Sequence, residues 1–265
     1  LMKNNNKFRL DVWGAITLAT IALYALFLLY PMAYLIRQSV MDPDTGGFTL
    51  AYFTKFFSKS YYFDTLINSF KVSITATVLS IAIGTPLAYL FTIFKIKGKG
   101  VLNILIVVAS MSAPFIGAYS WILLLGRSGV ITTFFKDLGI AIPDIYGFGG
   151  IVLVMTLQLF PLVFLYAKGA LKNIDNSLIE AAENLGCSGI ACFFKVVVPL
   201  IMPTLLAAAL LVFMRSFADF GTPMLIGEGY RTFPVVLYTE FINEVGGSDG
   251  FAAAIAVIAI VITTL

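Results

Sequence analysis

Long stretches without a charged residue alternate with short polar segments along this chain. Five of the stretches, of 25, 23, 27, 23 and 19 residues, contain no Asp, Glu, Lys or Arg. They are residues 12–36, 72–94, 100–126, 145–167 and 196–214. An α-helix needs about 20 apolar residues to cross the hydrocarbon core of a bilayer. Each stretch therefore predicts one membrane-spanning helix.

A sixth uncharged stretch, 250–265, has only 16 residues. At about 1.5 Å per residue it gives a helix of roughly 24 Å, shorter than a hydrocarbon core of about 30 Å. We interpret it as an incomplete span and expect the chain to be an N-terminal half or a truncated form of a longer protein. The prediction is an all-α, polytopic membrane helix bundle that forms one transmembrane domain over 1–265. The six predicted spans are approximately 12–36, 70–94, 101–126, 148–167, 198–216 and 250–265.

Composition supports a membrane protein and argues against several kinds of site. Hydrophobic residues make up 60% of the chain and charged residues 12%, with a mean hydropathy of +0.96, whereas soluble proteins carry about 25% charged residues. With no His and only two Cys, a His/Cys metal cluster is impossible. No phosphate-binding loop motif occurs, and the predicted spans have no ionisable residue at their centres, which disfavours an ion-driven transporter. We expect no catalytic residue, no metal site and no cofactor in this chain.

Basic residues give the orientation in the membrane. Lys/Arg excess marks cytoplasmic segments, most strongly in short segments next to spans. The N-terminus and the tight turn 95–99 are both basic, with three lysines in the turn. We therefore expect the N-terminus inside. An even number of crossings then places the polar segment 168–198 on the cytosolic side as well.

Segment 168–198 has a local pattern of its own. Ser177 and Glu180 have the spacing of a capping box, in which the two side chains satisfy backbone N–H groups at a helix start. Leu178 and Leu185 bound an apolar stripe at helical spacing. Gly186 follows where a left-handed residue can end the helix. The pattern predicts a short helix, a turn and a second helix between two spans.

The same residues resemble a known signature. The pattern E-A-A, three residues, G, nine residues, I-x-L-P marks the cytosolic loop of permease subunits of binding-protein-dependent ABC importers. In this chain its positions are Glu180, Ala181, Ala182, Gly186, Val196, Val198 and Pro199. Val stands in place of the usual Ile and Leu, which keeps the positions apolar, and the spacing is preserved. The resemblance extends from about residue 60 to the end of the chain.

The resemblance implies a role and a set of partners. The fold would be that of a type I ABC importer permease in the bacterial cytoplasmic (inner) membrane. The loop's short helix would dock on cytosolic ATP-binding subunits, which hold the ATP and hydrolyse it. A second permease half, fused or separate, and an extracytoplasmic substrate-binding protein would complete the importer. No nucleic-acid partner is expected, and the chain itself would be non-catalytic.

The segment that begins at Ala218 and ends at Pro223, Ala-Asp-Phe-Gly-Thr-Pro, resembles the ferric-iron branch of these permeases. The implied substrate is ferric iron, or else a polyamine, thiamine or aminoethylphosphonate. In the iron branch two six-helix halves are often fused in one chain, which agrees with the expected incomplete end.

Four polar residues are candidates for the substrate path or its gate: Arg215, Asp219, Gln158 and Ser112. Arg215 and Asp219 are four residues apart and would share a helix face. A solvated ion pair at the outer end of the helix is the simpler interpretation of this pair. Gln158 and Ser112 could equally bond to the backbone or to a neighbouring helix.

A second function remains open from the sequence. A membrane channel or scaffold protein could use the same loop to hold a cytosolic regulator. The two interpretations differ in whether the bound cytosolic protein hydrolyses ATP.

The orientation is testable with single cysteines at Lys97 and Asn173, after Cys187 and Cys192 have been replaced. Because both positions are predicted to be cytosolic, they should resist membrane-impermeant thiol reagents in intact cells and react after permeabilisation. Ready labelling of either position in intact cells would overturn the topology.

Overall fold

A computed structural model describes residues 12–42, 45–94, 96–111, 113–187, 189–242 and 249–264. Within these residues the chain is almost entirely helical. An isolated antiparallel β-bridge pairs Met41 with Phe48. The helices are α1 (Val12–Ser39), α2 (Ala51–Ser58), α3 (Ser60–Ile93), α4 (Lys99–Ser110), α5 (Pro114–Leu125), α6 (Val130–Asp137), α7 (Phe148–Lys172), α8 (Asn176–Asn184), α9 (Gly189–Ala218), α10 (Gly221–Ile226), α11 (Phe233–Ile242) and α12 (Asp249–Thr264).

Among the described residues, five helical segments are long and apolar enough to cross a membrane. They are Val12–Ser39, Ser60–Ile93, Phe115–Asp137, Phe148–Lys172 and Gly189–Ala218. The all-α class is therefore confirmed. Helix α12 is apolar but shorter, as its sequence predicts.

The stretch 101–126, which the sequence treats as one span, is two helices in the structure. α4 ends at Ser110, and α5 begins at Pro114. Ala113 is extended, with ψ +139°, because the ring of a following proline disfavours the helical conformation in the residue before it. Hydropathy alone does not detect this break, because the sequence between the two helices is as apolar, or its residues as small, as on either side.

The chain divides into two compact units, residues 61–236 and residues 1–60 with 237–265. In the larger unit, α7 packs against α4, α5, α9 and α10. Ile151, Val163 and Phe164 of α7 are fully buried. The rings of Phe91 on α3 and Phe164 meet edge to face, with centroids 5.2 Å apart. One domain over 1–265 stays a prediction.

Helix α3 crosses α7 at Gly84 with almost no space between them. A Cβ atom at Gly84 would lie 2.9 Å from the carbonyl oxygen of Phe160 and 2.9 Å from the Cβ of Val163. Real Cβ atoms do not approach other atoms so closely, so only glycine fits this crossing. The two helices can therefore pack backbone to backbone, as small residues allow in membrane helices.

In the smaller unit, α12 packs against α1 and α2. Its first turns are buried, including Phe251 and Ile255. Lys55 of α2 lies 4.1 Å above the centre of the Phe251 ring. By contrast, α1 leaves nearly all of its apolar side chains exposed, which is the surface expected of a helix that faces lipid.

Two helices continue through a proline by widening the preceding turn. A π-helical turn, Ala25–Leu29, precedes Pro31 in α1, and another, Phe193–Val197, precedes Pro199 in α9. The carbonyl four residues before each proline, at Phe27 and Lys195, belongs to the wide turn. A proline ring would collide with that carbonyl in a regular helix, so the π turn lets the helix continue. Pro199 therefore does not end helix α9.

Three loops of the larger unit are joined by one arginine. Arg127, after α5, lies 3.0 Å from Asp144 and 2.9 Å from Glu228, and its guanidinium stacks 4.7 Å from the Tyr146 ring centre. Glu228 has a positive φ of 52°. The cluster holds the ends of α5, α7 and α10 together.

The Gly84 crossing predicts a stability effect. Gly84→Ala should destabilise the protein by about 1–3 kcal/mol, because the added methyl group forces α3 away from α7. Gly169→Ala on α7 is the matched control: its Cβ meets nothing within 4 Å, and alanine favours a helix over glycine by about 1 kcal/mol. Unfolding midpoints of the purified proteins in one detergent measure both. Equal midpoints for the two variants would contradict the close crossing.

Candidate functional site

Helix α8 lies between two spans and is capped by Asp175. The Asp175 carboxylate accepts a hydrogen bond of 3.0 Å from the backbone N–H of Ser177. Hydrogen bonds from Ser177 lower the pKa of Asp175. The capping box predicted for Ser177 and Glu180 is therefore wrong. The helix begins two residues earlier because Asp175, an equally good capping residue, already satisfies the first free N–H groups.

Glu180 is exposed on α8. No hydrogen bond or ion pair joins its carboxylate to another residue in the part of the chain that the structure describes. The local explanation for this residue, completion of a cap, no longer applies. A carboxylate of this kind is free to meet a cationic group on another protein.

The apolar residues around Glu180 are also exposed. Leu178 is 49% exposed, Leu185 89% and Ile190 78%. In contrast, Ile179 packs against the core of the larger unit. Ile179 thus anchors the short helix, while Leu178 and Leu185 are exposed. Ala181 is exposed and Ala182 half-buried, so a partner could approach the helix backbone closely here.

Gly186 ends α8 in the way that the sequence predicts. Its φ is +84°, a left-handed conformation that glycine adopts without strain. The N–H of Cys187 donates to the carbonyl of Ala182 over 3.0 Å. This bond spans the left-handed residue, as in the Schellman motif, and it turns the chain sharply toward α9.

The remaining signature positions lie inside α9. Val196 and Val198 are half-buried, while Pro199 is exposed. Val197 between them is fully buried and belongs to the core. Phe193, also in the π turn, contacts Tyr89 of α3 with ring centroids 4.5 Å apart. The loop is therefore tied directly into the membrane-spanning helices.

A cavity of about 450 Å³ lies elsewhere in the larger unit. Three of the four predicted path residues line it: Gln158 of α7, Arg215 of α9 and Asp219 just after α9. The fourth, Ser112, lies outside the described residues. The other lining residues are Ser110, Phe115, Met155, Leu159, Ala218, Phe220 and Gly221. The cavity is thus formed where the ends of α4, α5, α9 and α10 surround the middle of α7.

The two ionisable residues of the cavity have different environments. The Asp219 carboxylate accepts hydrogen bonds from the Thr222 hydroxyl at 2.6 Å and the Gly221 N–H at 3.0 Å. Burial raises its pKa, and these bonds from Thr222 and Gly221 counteract the rise. Arg215 is exposed and has no ion-pair partner among the described residues. The expected Arg215–Asp219 ion pair is absent there, because α9 ends at Ala218 and Asp219 caps α10 instead.

Comparison with known proteins adds to this geometry. Residues 80–265 match the family described as binding-protein-dependent transport system inner membrane component. The chain belongs to this family. Its loop and its cavity are thus parts of an inner-membrane transport component, and its multi-pass location in the inner membrane agrees with the five candidate spans.

Relatives of this inner-membrane component include permeases for different substrates. The ferric transport system permease protein FbpB of Actinobacillus pleuropneumoniae is 28% identical over 240 residues, which is 89% of this chain and 34% of FbpB. The spermidine/putrescine permease PotB of Haemophilus influenzae is 29% identical over 262 residues, 95% of this chain and 89% of PotB. The chain thus spans about a third of the length of the ferric permease.

Solved structures show the fold. A chain of a bacterial alginate ABC transporter, crystallised with its alginate pentasaccharide-bound periplasmic protein, superposes with a TM-score of 0.77 at 15% identity. The match covers 96% of this chain and 90% of that one. A chain of the methionine ABC transporter MetNI gives a TM-score of 0.58 at 14% identity, covering 78% and 93%. The predicted type I permease fold is therefore confirmed.

Several lining residues of this permease were not predicted as site residues. Phe115 and Phe220 contact each other edge to face at 5.3 Å, and Met155 forms the floor with Leu159. Phe115 follows the proline that separates α4 from α5, which is a local signal for a break in a span. No signal in the sequence distinguishes Met155 from the other apolar residues of α7.

The end of α8 gives a prediction that separates strain from contact. A Cβ at Gly186 would meet nothing within 4 Å, so a substitution acts through the backbone alone. Gly186→Val should cost about 1–3 kcal/mol locally, whereas Gly186→Asn, which tolerates the left-handed region, should cost less. Amide hydrogen exchange of residues 176–184 measures the effect. If Val and Asn give the same exchange rates, the left-handed cap does not control α8.

Proposed function

We propose that this chain is the permease part of an ATP-driven importer and that loop 168–198 couples it to cytosolic ATPase subunits. The supporting observation is the exposed end of α8. It carries a carboxylate at Glu180 without a partner among the described residues, beside exposed Leu178, Leu185 and Ile190. Large exposed apolar patches outside the bilayer mark surfaces that another protein covers.

Charge and apolar area together suit one kind of partner surface. The partner needs a groove for Leu178 and Leu185 and a cationic group for Glu180. Polar and charged groups at such an interface fix its register, while the apolar core provides affinity. We propose that ATP is bound by that partner, and that this chain binds no cofactor and catalyses no reaction.

The coupling follows from the continuity of α9. This helix has 30 residues, from Gly189 beside the loop to Ala218 at the cavity, and is about 45 Å long at ~1.5 Å per residue. Force applied at α8 reaches α9 through the short turn at Gly186, and it reaches α3 through the contact between Phe193 and Tyr89. Movement of the loop would thus displace Arg215 and Ala218 in the cavity wall.

The importer needs further components. We propose a second permease half, fused or separate, and an extracytoplasmic substrate-binding protein. Large apolar side chains on α4 and α5 remain exposed, among them Ile104, Val108 and Ile116. Lipid and a second half are the two surfaces that can cover them. The cavity with Gln158, Arg215 and Asp219 is proposed as part of the substrate path.

The substrate is proposed to be ferric iron, with a polyamine, thiamine or aminoethylphosphonate as alternatives. The support is the similarity to ferric and spermidine/putrescine permeases. Among the described residues, no group of three or more His, Cys, Asp or Glu side chains that could hold a metal ion occurs.

The coupling role is testable with Glu180 and Asp175. Glu180→Gln and Glu180→Ala remove a charge that stabilises nothing within the described chain, so insertion and thermal stability should be unchanged while ATPase binding and uptake of radiolabelled ferric iron fall. Asp175→Ala is the control, because it removes the cap, at a cost of about 0.5–2 kcal/mol, and keeps the Glu180 charge. Co-purification of the ATPase and uptake are compared at equal membrane levels.

Three outcomes separate the interpretations. Loss of ATPase binding in the Glu180 variants with a smaller loss in Asp175→Ala supports coupling through the carboxylate. Normal uptake and ATPase retention in every variant would refute the proposal. If the loop instead holds a cytosolic protein that hydrolyses no ATP, the chain is a channel or scaffold.

A further inference from the structure

The cavity contains one cation without a partner among the described residues. Arg215 lines it, is exposed, and has no carboxylate within ion-pair distance in the part of the chain that the structure describes. It sits in the last turn of α9, a membrane-spanning segment. An arginine at the centre of a span costs about 2.5–3.5 kcal/mol if it faces lipid, and one near the end of a span extends to the interface or to a polar cavity.

Asp219 does not neutralise Arg215. Its two carboxylate oxygens accept bonds from the Thr222 hydroxyl and from the N–H groups of Gly221 and Thr222. The carboxylate is thus turned toward α10, where it accepts three hydrogen bonds from neutral donors. Gln158 and Ser110 add neutral hydrogen-bonding groups to the cavity wall. The lining therefore contains one acid, Asp219, held by the start of α10, and one exposed cation, Arg215, with no ion pair between them among the described residues.

We propose that Arg215 forms an anion site in this cavity, and that the transported species carries carboxylate, phosphate or another oxyanion group when it passes. The guanidinium fork binds such groups through two parallel hydrogen bonds. A metal ion would pass this site as an anionic chelate, and a bare polycation would be repelled by Arg215. The transport role of the site rests on the proposed function; the anion site itself does not.

The charge at the site can be measured without transport. Ser110→Cys places a thiol in the cavity wall, in the full-length natural protein with Cys187 and Cys192 replaced by serine. The measured quantity is the ratio of its modification rates by an anionic and a cationic methanethiosulfonate. Arg215→Gln should lower the ratio by about tenfold, since a cleft charge raises the local concentration of counter-ions by about 10–10³. Arg215→Lys should keep the ratio high.

Lys136→Gln is the matched control. Lys136 lies on α6 and does not line the cavity, so its removal changes the net charge equally and should leave the ratio unchanged. An unchanged ratio in Arg215→Gln, or an equal fall in Lys136→Gln, would overturn the proposal. If Ser110→Cys does not react, Ala218→Cys, exposed in the same wall, serves as the reporter.

Ligand protection tests the chemical class. Citrate, ferric citrate and spermidine are added during modification of the reporter cysteine by neutral N-ethylmaleimide. Protection by citrate indicates that the site binds a free anion, and protection by ferric citrate alone indicates that it binds a metal chelate. Either result supports the site, provided that the protection is lost in Arg215→Gln. Protection by spermidine and not by the anions would overturn it. Normal uptake in the Glu180 variants would refute the proposed coupling to an ATPase. It would not change the labelling results, which test the anion site at Arg215 separately.

Discussion

The unbroken course of α9 is the constraint on which the proposed mechanism depends. One end of this helix carries the signature positions Val196, Val198 and Pro199, and the other end carries Arg215. A proline within a helix normally removes a backbone bond and collides with the preceding turn. The π turn Phe193–Val197 relieves this conflict. The helix also continues through Pro203, so the loop and the cavity lie on one helix.

The loop helix depends on local chemistry more than on packing. A helix of 9 residues is shorter than the roughly 12–15 residues that an isolated helix needs for stability in water. Asp175 at its start and Gly186 at its end satisfy the free backbone groups, and Ile179 ties it to the core. These features fix the helix in place while leaving Glu180 and its apolar neighbours exposed.

The parts of the fold that the sequence predicts are those decided by local physics. A bilayer requires each span to satisfy its own backbone groups, so uncharged stretches coincide with α1, α3, α7 and α9. The left-handed end at Gly186 is likewise a property of one residue. The capping box failed because Asp175 and Ser177 are both competent caps, and the choice depends on how the preceding helix α7 ends at Lys172. Local pattern cannot decide between two such neighbours.

The cavity shows where local reasoning stops. Polarity within a span selects Gln158, and the spacing of four residues at a span end selects Arg215 and Asp219, yet nothing in the sequence brings α7 to the end of α9. The pair four residues apart suggested an ion pair, and this failed because it assumed that the helix continues through Asp219. The end of α9 at Ala218 changes the chemistry, since the carboxylate turns to α10 and the guanidinium is left with a free charge.

That free charge makes the position of α9 energetically important. Arg215 shares the cavity lining with the apolar residues Met155 and Leu159, so a rotation of α9 would change which of these groups the guanidinium faces. Burying the guanidinium against apolar groups costs free energy unless a polar partner accompanies it. An anion bound at the cavity would hold the guanidinium in place, whereas force on the loop would act to displace it. In the proposed importer, Arg215 would be the residue through which cargo in the cavity and a partner at the loop influence each other.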